Sequence, residues 1–371
     1  MKQIETFNRH MMAVARDSRG WTQSHLAERM DIAQGTISKV EAGLMAVPSD
    51  FIGKLAETLG YEPDLFFETG RPYGMPPFHY RRRKKLGQKP LDKMIAEMNI
   101  RRIQLNILLK SAKTSNSFIP EVDRDEYQGS NGRHFNVEDV ARQLRESWLI
   151  PDGPIENVTD LIEDHGGVVI PCNFDSDLID AVSQRIDGLP VLFFVNMNAP
   201  SDRIRHTLCH ELGHMILHTT TFLDDDTMEQ EADHFAGAFL LPPRAVGAQL
   251  ARFDFRQVVN MKKYWKSSMS AIVMRADRLN MITPYQKKMF FIQMNKLGYR
   301  RSEPYEPPKE YPKKIRKLID HHLNVLGYSR SELAKALHLG EAEFDRMYGP
   351  HMVGGGTGGG TRQGPSLRVV K

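Results

Sequence analysis

Cysteine is nearly absent: Cys172 and Cys209 are the only two in 371 residues. They supply no disulfide framework and no C-x-x-C pair to hold a metal. Long hydrophobic runs are missing too. No stretch of about 18 apolar residues occurs, and Met1-Lys-Gln-Ile-Glu5 carries an early acid where a signal peptide would be apolar. Membrane insertion and export are therefore not expected, and the cytoplasm is the expected compartment. Charge of one sign is also scarce, the formal net charge being +4 from 50 basic and 46 acidic side chains. That balance permits contact with nucleic acid without demanding it. Hydrophobic content of 40% is enough for real cores, and the length predicts two or three domains.

Against these absences one stretch stands out, Cys209-His-Glu-Leu-Gly-His214. On a helix, residues four apart share a face, so the imidazoles of His210 and His214 can reach one metal ion. Glu211, one step round, is placed to hydrogen-bond a water at that metal. Two His ligands, a third protein ligand and an open position fit hydrolysis with Zn2+ as cofactor. In that chemistry the zinc acidifies water and polarises a carbonyl, while Glu211 takes and returns the proton. Cys209 points about 100° away from the neighbouring ligand, so core packing is expected of it rather than catalysis.

The third ligand is expected on a following helix, Met228 to Pro242, where Ala232, Phe235, Ala236, Phe239 and Leu240 recur at helical spacing. Glu229 and Asp233 share a face. Glu229 is assigned as the third ligand, with Asp233 behind, fixing a ligand histidine through its other ring nitrogen. Glu231 is the alternative, about 200° round from Glu229, so the two are not expected to bind together. A merely solvated acidic face is the ordinary fate of such residues.

Residues 9–67 read as a helix-turn-helix domain. An amphipathic helix with Met12, Val14 and Ala15 ends near Gly20. Thr22 caps a short helix from Gln23 to Met30, and Asp31-Ile-Ala33 is the turn. Gln34 to Glu41 follows, with Ile37 and Val40 inward, and Phe51, Leu55, Ala56 and Leu59 mark a closing helix. The second helix then enters the major groove. Its outward residues are Gln34, suited to adenine, Thr36 and Ser38, suited to base edges or phosphate, and Lys39, suited to phosphate. Trp21-Thr-Gln-Ser-His-Leu-Ala-Glu-Arg-Met30, Gln34-Gly-Thr-Ile-Ser-Lys-Val-Glu-Ala-Gly43 and Leu55-Ala-Glu-Thr-Leu-Gly-Tyr61 resemble the XRE family of phage-repressor-like domains. The expected partner is double-stranded DNA. The bland alternative is a helical module that only dimerises or docks, and a homodimer is compatible with either.

Glu68 to Gln88, rich in Pro, Gly and Arg and holding the run Arg81-Arg-Arg-Lys-Lys85, reads as a linker that either reaches phosphate or is simply solvated. Pro90 to Ala112 reads as a long amphipathic helix and Asn136 as the cap of a helix through Trp148. Gly166 to Pro171 reads as a strand, and Leu189 to Asn196 as a buried one. A substrate backbone would pair with a strand edge beside the H-E-x-x-H helix, but the pattern does not select which strand.

The order Leu144-Arg-Glu-Ser-Trp148, Asp152-Gly-Pro-Ile-Glu-Asn157, a strand, Pro200-Ser-Asp-Arg-Ile-Arg-His-Thr-Leu-Cys-His-Glu-Leu-Gly-His214, then Glu229-Gln-Glu-Ala-Asp-His-Phe-Ala-Gly-Ala-Phe-Leu-Leu-Pro242 resembles the ImmA/IrrE family of zinc metalloproteases. The resemblance covers most of 130–305. It implies His210 and His214 as ligands, Glu211 as base and Glu229 as the metal carboxylate. His218 matches the family's trailing histidine, behind the ligands or facing substrate. The implied activity is cleavage of a protein substrate, often a partner transcriptional repressor in stress or mobile-element control. Cys209 stands where the family commonly has a small residue such as Ala, a departure that leaves the chemistry untouched.

Beyond this, Met269 to Leu279 reads as a helix of a helical region. An echo is visible at an offset of 307: Gly20-Trp-Thr-Gln-Ser-His-Leu-Ala27 recurs as Gly327-Tyr-Ser-Arg-Ser-Glu-Leu-Ala334. Its second copy carries Glu341, Glu343 and Asp345, which phosphate would repel, so no DNA binding is expected of it. Gly354 to Gly360 reads as flexible tail. The expected fold is multidomain: an all-α helix-turn-helix domain (1–70), a basic linker and helix (71–132), an α+β zincin-like metalloprotease domain (133–305), a helical C-terminal region (306–350) and a tail (351–371). The expected function is a DNA-binding, zinc-dependent regulatory endopeptidase. The alternatives are a regulator whose zinc site is structural, and an antitoxin-like protein whose peptidase domain only senses a partner.

Overall fold

A computed structural model describes residues 7–48, 50–75, 87–113, 118–125, 127, 135–174, 178–220, 223–251, 253–352 and 368–369. The basic run 81–85 and the tail 354–360 lie outside the described residues. The chain forms two compact units. One takes Met1–Ser115, Phe174–Leu178 and Lys313–Lys371, and the other Asn116–Asn173 and Ile179–Pro312.

The first unit opens with helices α1 (Arg9–Ser18), α2 (Gln23–Arg29), α3 (Gln34–Glu41) and α4 (Phe51–Leu59), followed by a 3-10 turn at Pro63–Phe67. Thr22 caps α2 by accepting from the His25 amide, and Ala33 leads into α3 without a side-chain cap. Asp31, at φ 49°, makes the left-handed step between α2 and α3. Met12, Leu26, Ile37, Val40 and Leu55 form the core. Arg16 ties α1 to α3 through Glu41 at 2.7 Å. The long helix α5 (Gln88–Leu109) packs on α1.

The chain returns to this unit with three further helices after the eight of the second unit. They are α14 (Lys314–Asn324), α15 (Arg330–Ala336) and α16 (Glu341–Met352). The 307-residue echo is structural. Helix α15 covers the residues equivalent to α2, and α16 starts at the equivalent of Gln34. Ser329 caps α15 as Thr22 caps α2, and Gly327 and His338 take positive φ as Gly20 and Asp31 do. The second copy turns inward: Phe344 and Tyr348 of α16 are buried. It docks on the first domain through a bridge between Tyr61 and Leu339, a hydrogen bond from the Gly340 amide to the Gly60 carbonyl at 3.2 Å, and an ion pair of Arg19 with Glu343 at 2.6 Å.

The second unit is α+β. Helices α6 (Val137–Ser147) and α7 (Val158–Asp164) precede a three-stranded sheet. Its strands are β1 (Val168–Cys172), β2 (Ala181–Gln184) and β3 (Leu192–Asn196), in the order β1-β3-β2. β1 runs parallel to β3 with Val168 opposite Leu192, and β2 runs antiparallel with Ala181 opposite Val195. β3 is central, which explains its apolar character on both faces. β2 is an edge strand and lies against helix α8 (Ser201–Leu217). Helix α9 (Asp225–Leu240) packs along α8, and α10 (Pro243–Leu250), α11 (Phe255–Trp265), α12 (Met269–Arg278) and α13 (Pro284–Lys296) complete the unit.

A polar clamp joins α6, α9 and α12. Glu138 accepts from Arg275 at 2.8 Å and meets His234 at 2.8 Å. Burial alone would raise the Glu138 pKa. The bonds from Arg275 and His234 outweigh it and bring the value to about 2, against an ordinary 4.5. A depressed carboxyl stabilises the fold above its unfolded pKa, and that contribution is lost as pH falls from about 4.5 toward about 2. Glu138→Gln should therefore lower stability at pH 7 by on the order of 2 kcal/mol. Denaturant titration of both proteins checks this: the gap should narrow steadily below about pH 4.5, and a gap independent of pH would remove the clamp's role.

Candidate metal centre

Helix α8 is polar yet enclosed. Of its 17 residues only Arg203 and His206 are not buried, so every charged group on it needs a partner. At its start, Glu306 accepts from the Ser201 amide at 3.0 Å. Asp202 pairs with Lys262, which also meets Glu303 at 2.9 Å. Arg205 pairs with Glu310 and donates to the Ile155 carbonyl at 2.6 Å.

Further along, α8 meets α9 at Gly213. A Cβ there would lie 3.1 Å from the Phe235 ring and 3.3 Å from the Ala232 Cα. A side chain there would be tighter than ordinary contact, so glycine eases the approach, which carries the acids of α9 up to the histidines of α8. The structure brings His210, His214 and Glu229 together, with one potential ligand atom from each within 4.8 Å of the others. The His210 and His214 Nε2 atoms are 3.1 Å apart. Glu229 presents one oxygen 3.4 Å from His214 Nε2 and the other 3.8 Å from His210 Nε2.

The opposite ring nitrogens fix the tautomers. His210 Nδ1 lies 2.8 Å from Asp233 Oδ1. A carboxylate only accepts, so the proton sits on Nδ1 and Nε2 carries a lone pair. For His214 the chain is longer. His218 Nε2 lies 3.0 Å from Glu231 Oε2 and donates to it. His218 Nδ1 is then an acceptor, and it lies 3.0 Å from His214 Nδ1, which must donate. His214 Nε2 is left with a lone pair as well. Two lone pairs and a carboxylate face one point, an arrangement that a cation relieves. The donor set therefore fits a metal ion.

Glu231, the alternative ligand, is engaged elsewhere. It holds His218 and accepts from Arg124 at 2.5 Å. Burial pulls its pKa up, but the bonds from His218 and Arg124 prevail and hold it below the usual carboxylate range. Glu211 points to β2: its Oε2 accepts from the Ser183 amide at 2.9 Å and hydroxyl at 2.6 Å. Burial pushes the Cys209 thiol up to about 12, which keeps it protonated and inert.

In the first unit Gln34 and Lys39 are exposed on α3, with Thr36 and Ser38 half-buried. The Gln34 amide donates to Gln23 at 3.0 Å, and Gln23 donates to Glu41 at 2.7 Å, so Gln34 is held in place rather than free to rotate. Ser183 and Arg124 escaped the sequence reading. Ser183 sits in a strand of four residues, too short for a periodic signal, and Arg124 lies in an irregular segment.

Two family matches accompany this geometry. Residues 162–277 match the peptidase M78 family, described as the IrrE N-terminal-like domain, and residues 13–66 match a helix-turn-helix family. The chain carries an IrrE-type M78 domain behind an XRE-type helix-turn-helix domain. It is thus a DNA-binding protein with a metallopeptidase-type domain, and that family implies a metal cofactor. No curated protein and no solved structure matches significantly.

The geometry assigns distinct losses to the M78 domain's acids. If Glu229 is the third ligand, Glu229→Ala should empty the site. Asp233→Ala and Glu231→Ala each release a tautomer and should weaken metal binding by roughly 10–100-fold. Metal content after dialysis against graded chelator ranks the three. A larger loss from Glu231→Ala than from Glu229→Ala would transfer the ligand role.

Proposed function

We propose that the chain is a zinc-dependent endopeptidase that cuts a protein partner, a transcriptional repressor, while its own N-terminal domain holds DNA. It acts in the cytoplasm, in stress or mobile-element control. The observation that carries the reading is the pair of Nε2 lone pairs 3.1 Å apart beside the Glu229 carboxylate. Two nitrogens and one oxygen suit zinc with a position left for the reaction. When bound, zinc supplies Lewis acidity to a peptide carbonyl and to water.

The chain's own residues do the rest. Glu211 accepts the proton of the attacking water and returns it to the leaving amine. The amide and hydroxyl of Ser183 hold its carboxylate, which positions the base. Ser183 also marks the edge a substrate can use. Asn196 donates to the Asp180 carbonyl at 2.8 Å, so by alternation Asp180, Val182 and Gln184 bond inward to β3. Ala181 turns its amide and carbonyl away from β3, and Ser183 its carbonyl, the Ser183 amide being held by Glu211. An extended peptide adds there as a further strand, with its backbone beside Glu211. In the first unit, Gln34 reads a base edge and Lys39 neutralises phosphate.

Two experiments follow. Glu211→Gln should keep metal and fold yet lose cleavage of a candidate repressor by roughly 10²–10⁴-fold, with Ser183→Ala between it and the parent. Cleavage at the parent rate, or cleavage that survives a chelator, would reject the assignment. On DNA, Lys39→Ala in the full chain should weaken binding to all sequences alike and reduce the salt slope by about one. The same variant should cut concentrated repressor in solution normally and slow down on dilute repressor bound to operator DNA, because tethering raises local concentration. Equal rates on DNA would separate the two domains functionally.

A further inference from the structure

A cavity of about 650 Å³ opens within the second unit, walled by α8, α9, α12 and the loop after α13. Its lining includes six cations, Arg203, Lys262, Arg275, Arg278, Arg300 and Arg301. Three of these are neutralised in place. Lys262 meets Asp202 and Glu303, Arg275 meets Glu138, and Arg203 meets Asp180 at 2.7 Å. The acid Glu306 in the lining is likewise committed, to the start of α8. Arg278, Arg300 and Arg301 are exposed, and none of the three has an ion-pair partner among the described residues. Three guanidiniums around one cavity give it a positive lining that favours an anion. Ser270 and Tyr299 add neutral hydrogen-bonding groups to the same wall, and Met274 adds an apolar one. The volume is that of a small-molecule site.

We propose that this cavity binds a small, multiply charged anion of the phosphate-ester class, gripped by Arg278, Arg300 and Arg301. Guanidinium is the group best matched to such oxygens, since its fork donates two parallel bonds. The position gives the ligand a consequence. Asp233 lines the cavity with its side chain 60% exposed while its Oδ1 holds His210 Nδ1. An anion in the cavity thus lies against the back of a candidate metal ligand, on the side away from Nε2. This goes beyond peptide cleavage, and the binding itself stands whether or not the chain cuts protein.

The test uses the full-length, metal-free chain, so that phosphate groups cannot act by chelating metal. Calorimetric titration with inorganic pyrophosphate and with ATP should show saturable binding at one site. Loss of charge-assisted bonds in the double variant Arg300→Gln/Arg301→Gln should weaken it by roughly tenfold or more. Arg278→Gln should weaken it separately. Lys39→Ala, which alters only the DNA-reading helix, should leave it unchanged. The imidazole N–H resonance of His210 should move on titration of the parent and stay still in the double variant. Pyrophosphate binding without ATP binding would limit the ligand to inorganic anions and overturn the phosphate-ester assignment. Absence of saturable binding, binding indifferent to all three arginines, or binding lost in Lys39→Ala would overturn the site.

Discussion

A polar helix enclosed by protein is the constraint around which the peptidase domain is arranged. Helix α8 carries an acid at its start, two arginines, three imidazoles and the Glu211 carboxylate, and it buries all of them but Arg203 and His206. Unpaired, each would cost several kcal/mol. The partners come from every direction: Lys262 from α11, Glu310 from beyond α13, Asp233 from α9, and Ser183 from the sheet edge. Gly213 lets α9 approach closely enough for its part of that supply. The partners that make burial tolerable also set the tautomers and hold the Glu211 carboxylate. Stability and site geometry therefore rest on one set of bonds.

The first unit makes a different use of repetition. Two helix-turn-helix modules share capping, turn geometry and helix spacing, yet they diverge at the third helix. α3 leaves Gln34 and Lys39 exposed. α16 instead buries Phe344 and Tyr348 and commits Glu343 to Arg19. Glu343 of the second copy thus serves docking on the first module. Because Gly340 and Leu339 bond to the far end of the first module, the C-terminal helices belong to the DNA-reading unit.

Local chemistry was readable from the residues, and non-local pairing was not. The span Gln34 to Glu41 matches α3 because its apolar residues and turn are local signals. The two histidines of H-E-x-x-H lie one turn apart on α8, as their spacing requires. The 307-residue echo was visible in the letters, and its cap and positive-φ residues match in the fold. Strand β2 gave no signal in four residues, so the edge beside Glu211 stayed unassigned until the register was known. Nothing in the local pattern tells that Glu343 will meet Arg19, or that His218 will relay Glu231 to His214. Such bonds join residues whose neighbours in sequence say nothing about one another.

The segment from Glu303 to Glu310 supplies carboxylates to three helix beginnings. Glu303 accepts from the Met269 amide at 2.7 Å, Glu306 from Ser201, and Glu310 from Val158 at 2.8 Å and Thr159 at 3.1 Å. All three helices precede it in the chain, and Glu306 follows Ser201 by 105 residues. During synthesis at about 5–20 residues per second, the helix that bears the histidines waits roughly 5–20 s for its cap to be made. The ribosome thereby imposes an order on the domain: the histidine-bearing helix is translated first and electrically completed later.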